Sequence, residues 1–289
     1  MNSPAATFRE RTITTADGLS LYVRDYGDPA SKATPVLCLS GLTRNSRDFH
    51  AFATRLSPQR RVLAMDYRGR GRSAYDPVVA NYRPDVYALD AIKVAADSGI
   101  ERAVLVGTSL GGIVTMVLAA LKPGFMTGAV LNDIGPEIPA EAAARIGSYT
   151  GVKVQVASMD EAVKSVKERY AGAYPGLPDS RWRAIAEDMF TQDADGTFRP
   201  AYDLGIAQAF AETGRPAAAD MWPLFLALQD IPVLAIRGAL SDVLTAETFD
   251  KMQTAKPDLM RVTVPNRGHI PLLDEPECLA AFYTFFRRV

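Results

Sequence analysis

Six short, continuous apolar runs, separated by helical stretches, limit most strongly how this chain can fold. The runs cover residues 35–40, 61–66, 103–107, 129–133, 232–237 and 260–264. Each is too short for a helix and too uniformly apolar for a strand with one face in water, which indicates strands buried on both faces. Helices fit between them at residues 49–56, 85–98, 110–121, 245–254 and 275–287. This alternation predicts an α/β fold in which helices cover both faces of a parallel sheet.

The N-terminal residues add an antiparallel edge to this sheet. Polar and apolar residues alternate over residues 7–14 and 19–26, on either side of Asp17-Gly18, as is typical of a β-hairpin. Together with the six buried runs, the hairpin gives a mostly parallel sheet of eight strands.

Residues 135–228 interrupt the alternation, because they read as helices without a comparable apolar strand. The sequence Ser158-Met159-Asp160-Glu161 forms a capping box at one helix start, and Pro178-Asp179-Ser180 precedes an amphipathic stretch at residues 181–190. We interpret residues 135–228 as a helical lid inserted into a core made of residues 1–134 and 229–289. The alternative is a second, independent domain.

Composition points to a small-molecule ligand. The 289 residues include 32 basic and 33 acidic ones, a net charge of −1, so the chain offers no basic field for nucleic acid or an anionic membrane. The charged residues Arg9, Glu10 and Arg11 stand where a signal peptide would be apolar, which predicts a cytoplasmic location. Cys38 and Cys278 are expected to be free thiols. We expect a monomer or a homodimer.

The sequence Gly107-Thr108-Ser109-Leu110-Gly111 lies between a buried run and a helical stretch. A side chain at the apex of such a tight strand-to-helix turn projects from the sheet, and small residues two positions before and after it let the backbone close. The helix N-terminus also suits a developing oxyanion. The pattern therefore predicts Ser109 as a nucleophile.

A serine nucleophile needs a base and an acid that orients the base. The chain contains two histidines, and His269 follows the last predicted strand, whereas His50 lies in a helical region. The acid is expected between serine and histidine in the chain, and Asp242, just beyond the run at residues 232–237, fits best. Asp133, at the end of an earlier run, is the alternative.

The elbow, the acid loop and the histidine loop together resemble the α/β-hydrolase superfamily, over nearly the whole chain. Residues 66–73 (DYRGRGRS) are similar to a loop of that family, as is the turn at residues 39–43 (LSGLT). The resemblance implies a lidded serine hydrolase of the esterase type, with the backbone N–H groups of Leu42 and Leu110 as oxyanion donors. Ser40 stands where the family usually has histidine.

No cofactor is implied. The arginines of residues 66–73 could clamp a phosphate or carboxylate, but the resemblance implies a structural loop, and no P-loop or dinucleotide fingerprint accompanies it. Two separated histidines and two separated cysteines supply no recognisable metal-ligand set.

The resemblance leaves the substrate open between a carboxylic ester, which we expect first, a lactone, and a C–C bond. Ile270 stands where ring-cleaving C–C hydrolases commonly carry tryptophan. Lid residues Trp182, Met221 and Trp222 are candidates for an apolar substrate site, and lid packing is the alternative for them. A non-catalytic ligand-binding protein of the same fold is the remaining possibility.

Overall fold

The computed structural model describes residues 8–212 and 220–289 and contains an eight-stranded sheet. The strands, of which β7 and β8 form a separate small sheet, are β1 (Phe8–Thr14), β2 (Ser20–Tyr26), β3 (Val36–Leu39), β4 (Val62–Met65), β5 (Ala103–Thr108), β6 (Met126–Asn132), β7 (Phe190–Gln192), β8 (Phe198–Pro200), β9 (Val233–Gly238) and β10 (Met260–Val264). Their order in the large sheet is β1-β2-β4-β3-β5-β6-β9-β10. Within this large sheet, the pairs β1–β2 and β2–β4 are antiparallel and the remaining pairs are parallel. The predicted α/β fold with a mostly parallel, eight-stranded sheet is confirmed.

Helices pack on both faces of this sheet. The helices of the described residues, including those that lie between β6 and β9, are α1 (His50–Leu56), α2 (Pro84–Asp97), α3 (Leu110–Leu121), α4 (Ala140–Tyr149), α5 (Met159–Tyr170), α6 (Asp179–Met189), α7 (Gly205–Glu212), α8 (Trp222–Leu226), α9 (Ala246–Ala255) and α10 (Pro276–Phe285). Successive side chains of β5 enter different cores, since Leu105 belongs to the cluster that contains Val94 and Leu118, and Val106 belongs to the cluster that contains Phe52 and Phe285. This two-sided burial explains why the strands read as continuous apolar runs.

The chain between β6 and β9, which we call the insert, carries α4 to α8 and adds no strand to the large sheet. Its main hydrophobic cluster includes Val166, Trp182 and Phe190. The Ser158 side chain accepts a hydrogen bond from the Glu161 N–H, as the capping pattern predicts. The small hairpin of β7 and β8 was not expected from the sequence. The division at residues 135–228 and its role as a lid stay predictions, and residues 213–219 of it lie outside the described residues.

Cys38 and Cys278 are both buried free thiols, as expected. Across residues 8–212 and 220–289, no helix is both long and apolar enough to span a bilayer.

Candidate active site

Ser109 lies at the sharp turn that joins β5 to α3. Its backbone has φ 51° and ψ −114°, a conformation that residues with a side chain rarely adopt. The turn closes because its glycines have no side chains: a β-carbon on Gly111 would stand 1.9 Å from the Leu39 carbonyl oxygen, and one on Gly107 would stand 2.3 Å from the Gly111 carbonyl oxygen. The packing therefore forces glycine on both sides of the serine and holds its hydroxyl at the sheet edge.

Three side chains form one continuous hydrogen-bonded series at this edge. The Ser109 Oγ is 2.9 Å from His269 Nε2, and His269 Nδ1 is 2.7 Å from Asp133 Oδ2. A carboxylate accepts hydrogen bonds and does not donate them, so His269 Nδ1 carries the proton and Nε2 is left to accept from the serine hydroxyl. The predicted pairing of Ser109 with His269 is present in the structure.

The prediction that Asp242 is the carboxylate next to the histidine is wrong. Asp133 directly follows β6, which lies beside the nucleophile strand β5, and its side chain is fully buried. Asp242 lies four residues beyond the end of β9, where the chain has turned away. Its carboxylate meets solvent and pairs with Arg145 of α4 at 2.6 Å and 2.8 Å. The alternative left open by the sequence, Asp133, therefore occupies the position.

The loop after β9 contributes two donors that hold the Asp133 carboxylate. The backbone N–H of Gly238 donates to Oδ1 at 2.8 Å, and the Ser241 hydroxyl donates to Oδ2 at 2.6 Å. With the histidine, this gives three hydrogen bonds to a carboxylate that is out of contact with water, which offsets the cost of its burial. The sequence does not predict this role for Ser241, because a loop serine reads the same whether its hydroxyl meets solvent or a buried carboxylate.

The insert holds the histidine loop on both sides of His269. The Gly268 N–H donates to the Ala173 carbonyl at 2.7 Å, and the Tyr174 hydroxyl donates to the Ile270 carbonyl at 2.9 Å. A β-carbon on Gly268 would stand 2.9 Å from the Ala173 backbone, so this close approach needs glycine. The position of the imidazole thus depends on the packing of the insert against the core.

The turn after β3 lies beside the nucleophile. A β-carbon on Gly41 would stand 3.8 Å from Ser109 Cβ. The Arg70 guanidinium donates to the Leu42 carbonyl at 2.9 Å. The hydroxyl of Ser40, which stands where histidine was expected from the resemblance, donates to the Arg44 carbonyl at 3.2 Å and so links the two ends of the turn. Within the described residues, the backbone N–H groups of Leu42 and Leu110 donate to no protein acceptor. Both remain available for the predicted oxyanion role, which stays a prediction.

A cavity of about 550 Å³ opens onto Ser109 and His269. Apolar and aromatic side chains from core and insert line much of it: Leu42, Ile146, Tyr149, Tyr170, Tyr174, Ile185, Met189 and Leu272. The predicted substrate residues Trp182, Met221 and Trp222 do not line it. Trp182 is buried in the insert's own core, Met221 in the main core, and the Trp222 indole N–H donates to Glu137, so the alternative of structural packing applies to all three.

One end of the cavity is charged. Arg44 Nε donates to Asp48 at 2.8 Å, and Arg47 Nη2 donates to the Phe190 carbonyl at 3.1 Å. Asp188 of α6 also lines this end, and burial together with the negative charge of Asp48 raises its pKa from 3.8 to about 6. No sequence pattern marks this group, since its members lie in two segments more than a hundred residues apart.

The arginines of residues 66–73 form ion pairs and hydrogen bonds with other residues of the protein, as expected for a structural loop. The Arg68 guanidinium contacts the carboxylates of Asp17, Asp76 and Asp90 at 2.6 to 2.8 Å. Arg72 pairs with Glu10.

The second histidine, His50, begins α1 and its Nδ1 lies 3.1 Å from the Tyr26 hydroxyl. Burial and then the charge of Arg24 lower the pKa of His50.

Comparison with known proteins places this geometry among hydrolases. A model of the alpha/beta hydrolase family matches residues 36–281. The chain is 32% identical over 269 residues to the 3-hydroxybutyrate-oligomer hydrolase of Cupriavidus necator, covering 91% of each chain. It is 32% identical over 270 residues to the 2-(acetamidomethylene)succinate hydrolase of Mesorhizobium japonicum, covering 93% of this chain and 91% of that one. The crystal structure of an alpha/beta hydrolase from Novosphingobium aromaticivorans superposes with a TM-score of 0.93 at 42% identity, covering 98% and 99% of the two chains.

Proposed function

Since this chain belongs to the alpha/beta hydrolase family, we propose that it is a serine hydrolase that cleaves a carboxylic ester through an acyl-enzyme. The observation that carries the proposal is the unbroken series of hydrogen bonds from Ser109 through His269 to Asp133. Such a series combines a nucleophile, a base and a group that orients the base.

In the proposed mechanism, His269 Nε2 takes the hydroxyl proton while Ser109 Oγ bonds to the ester carbonyl carbon. The N–H groups of Leu42 and Leu110 stabilise the oxyanion, and Asp133 stabilises the imidazolium. The intermediate collapses as the imidazolium gives its proton to the departing alkoxide, which leaves an acyl-serine and a free alcohol. Water, deprotonated by the same histidine, then attacks the acyl carbon. As the bond from that carbon to Ser109 Oγ breaks, the imidazolium returns the proton to Oγ, and the acid leaves with the serine and the neutral histidine restored.

The cavity supports a small, largely apolar substrate. Its volume of about 550 Å³ is in the range of small-molecule sites, and aromatic and aliphatic side chains form much of its wall. The relative named as a 3-hydroxybutyrate-oligomer hydrolase is consistent with an ester, because an oligomer of a hydroxy acid is joined through ester bonds. We propose that the insert acts as a lid over this cavity, since it supplies part of the wall and contacts the histidine loop.

Replacement of the nucleophile tests the proposal. Ser109→Ala is expected to remove hydrolysis of aryl esters and covalent labelling by a fluorophosphonate, because no alkoxide can then form. Ser148→Ala is a matched control, since this exposed serine on α4 donates its hydroxyl to the Arg145 carbonyl one turn earlier on the same helix. Labelling that persists in Ser109→Ala and disappears in another serine variant would overturn the proposal.

A second candidate is hydrolysis of a bond other than a simple ester. The chain is as similar to a 2-(acetamidomethylene)succinate hydrolase as to the 3-hydroxybutyrate-oligomer hydrolase, at 32% identity to each, and this supports the second candidate. A panel of aryl esters of graded length, lactones and a vinylogous 1,5-diketone separates ester, lactone and C–C hydrolysis. Binding without turnover of any of them, together with no labelling of Ser109, would identify a non-catalytic ligand-binding protein instead.

We also propose a cytoplasmic protein, monomeric or dimeric, that acts on a small molecule. The balanced charge supports only one part of this, that the protein binds neither nucleic acid nor anionic membranes. Fractionation and size-exclusion chromatography test this part of the proposal.

A further inference from the structure

The carboxylate of Asp188 faces the cavity and accepts no hydrogen bond from the part of the chain that the structure describes. Asp188 lines the cavity from α6, and its backbone carbonyl accepts from Asn45 Nδ2 at 2.8 Å, which fixes the residue against the turn after β3. Its carboxylate receives no donor from residues 8–212 or 220–289. A half-buried carboxylate without a donor is costly to keep, so a substrate group that donates a hydrogen bond to it would gain free energy on binding.

Unused donors lie at the same end of the cavity. Arg44 uses Nε and Nη2 for Asp48, and Arg47 uses Nε for Asn45 and Nη2 for the Phe190 carbonyl. In the described part of the chain, the Nη1 of each guanidinium makes no hydrogen bond. This end of the cavity therefore offers both an acceptor and donors to a ligand.

The charges at this end balance. The cations of Arg44 and Arg47 stand with the anions of Asp48 and Asp188, and Arg24 and Glu187 add one charge of each sign to the wall. The arginines would attract a substrate carboxylate but the two aspartates would repel it, and for an ammonium group the two effects are exchanged. A neutral hydroxyl donates to a carboxylate and accepts from a guanidinium at once, so both kinds of group attract it.

This polar end lies close to the nucleophile. A β-carbon on Gly41 would stand 3.5 Å from Arg44 Cγ and 3.8 Å from Ser109 Cβ, so the base of the Arg44 side chain and the serine flank the same glycine. An acyl group held at Ser109 thus needs only a few carbons to reach the polar end.

From this arrangement we infer that the substrate is an ester of a short hydroxy acid, and that Asp188 selects it by accepting a hydrogen bond from the acyl hydroxyl while Arg44 donates to the same oxygen. Asp188 is a specificity-determining residue in this assignment and takes no part in bond breaking. The inference rests on the proposed ester hydrolysis and names its acyl group.

A set of three aryl esters with one leaving group tests the inference. The p-nitrophenyl esters of butyrate, 3-hydroxybutyrate (both enantiomers) and monosuccinate differ only in having no polar group, a hydroxyl or a carboxylate on the acyl chain. For the protein as it stands, kcat/KM for one hydroxybutyrate enantiomer is expected to exceed that for butyrate about tenfold, the value of one hydrogen bond to a charged group. The succinate ester is expected to be the poorest substrate.

Two variants of Asp188 locate the preference. Asp188→Leu removes the acceptor and should bring the ratio of kcat/KM for hydroxybutyrate over butyrate close to one, whereas Asp188→Asn keeps an acceptor oxygen and should retain part of it. The ratio cancels any change in the amount of folded enzyme, because both esters use the same serine. Asp179→Asn is the matched control, since it lies on the same helix, is exposed and pairs with Lys167.

The outcomes separate the two proposals. If none of the esters is hydrolysed, the proposed function fails. If butyrate is hydrolysed as well as hydroxybutyrate, if the succinate ester is preferred, or if the hydroxyl preference persists in Asp188→Leu, ester hydrolysis stands and the hydroxy-acid assignment is overturned.

Discussion

Substitution of Asp133 by asparagine changes one functional group at the most buried point of the proposed catalytic series. The amide is the same size as the carboxylate, but one of its two positions is a donor. If the nitrogen takes the Oδ2 position, it faces the proton on His269 Nδ1 and the Ser241 hydroxyl, and if it takes the Oδ1 position, it faces the Gly238 N–H. The first arrangement is relieved when the imidazole shifts its proton to Nε2, where it can no longer accept from Ser109.

The size of the effect follows from the loss of the base and of the charge that stabilises the imidazolium. In a serine-histidine-aspartate series this substitution lowers kcat by about 10⁴, and we expect a loss of about 10³ to 10⁴, or about 4 to 5.5 kcal/mol in activation free energy. The KM should change little, since Asp133 is fully buried behind the histidine and does not line the cavity.

The assay is steady-state hydrolysis of an aryl ester by Asp133→Asn and by Asp242→Asn. The second variant should keep its kcat within about twofold, because Asp242 forms an exposed ion pair with Arg145, and such pairs contribute about 1 kcal/mol or less. Circular dichroism and urea unfolding confirm that both variants are folded. A loss of three orders of magnitude in Asp242→Asn, with Asp133→Asn active, would refute the assignment of the acid from geometry.

Three further predictions concern stability and support of the site. Burial and the charge of Asp48 raise the pKa of Asp188 from 3.8 to about 6, so its ionisation destabilises the folded state as pH rises through about 4 to 6. Asp188→Asn should therefore increase the free energy of unfolding in urea by on the order of 1–2 kcal/mol at pH 8 and hardly at all at pH 4. An equal increase at both pH values would contradict this. Gly111→Ala would place a carbon 1.9 Å from a carbonyl oxygen of β3 and should cost about 3 kcal/mol or more, measured by the same unfolding; a native midpoint would disprove the contact. Ser241→Ala removes one donor from the buried carboxylate and should lower kcat about tenfold with KM nearly constant, and restoration by Ser241→Thr would tie the loss to the hydroxyl.

The fold could be predicted from the chain because the information is local and repeated. A strand buried on both faces must be apolar along its length, and six such runs with helices between them leave few arrangements other than a covered parallel sheet. The hairpin of β7 and β8 escaped prediction because each strand is three residues long and carries no clear alternation.

Some residues of the candidate site could be predicted from local sequence, and others could not. Ser109 was readable because strand, turn and helix are contiguous, and His269 because the chain has only two histidines. Trp182, Met221 and Trp222 were misassigned because an aromatic or apolar side chain on a helix reads the same whether it faces a cavity or a neighbouring helix. Only packing distinguishes these cases.

The sequence by itself thus determined the sheet, the serine at its sharp turn and the histidine paired with it. The tertiary structure alone decided between Asp133 and Asp242, and it alone assembled the charged end of the cavity. Both aspartates follow a buried strand, so their local sequences are equivalent. The difference arises from the side-by-side order of β5, β6 and β9 and from the turn that presents Ser241 inward and Asp242 to solvent. Asp133 and His269 stand 136 residues apart, and contact across such a separation depends on how the whole sheet is assembled.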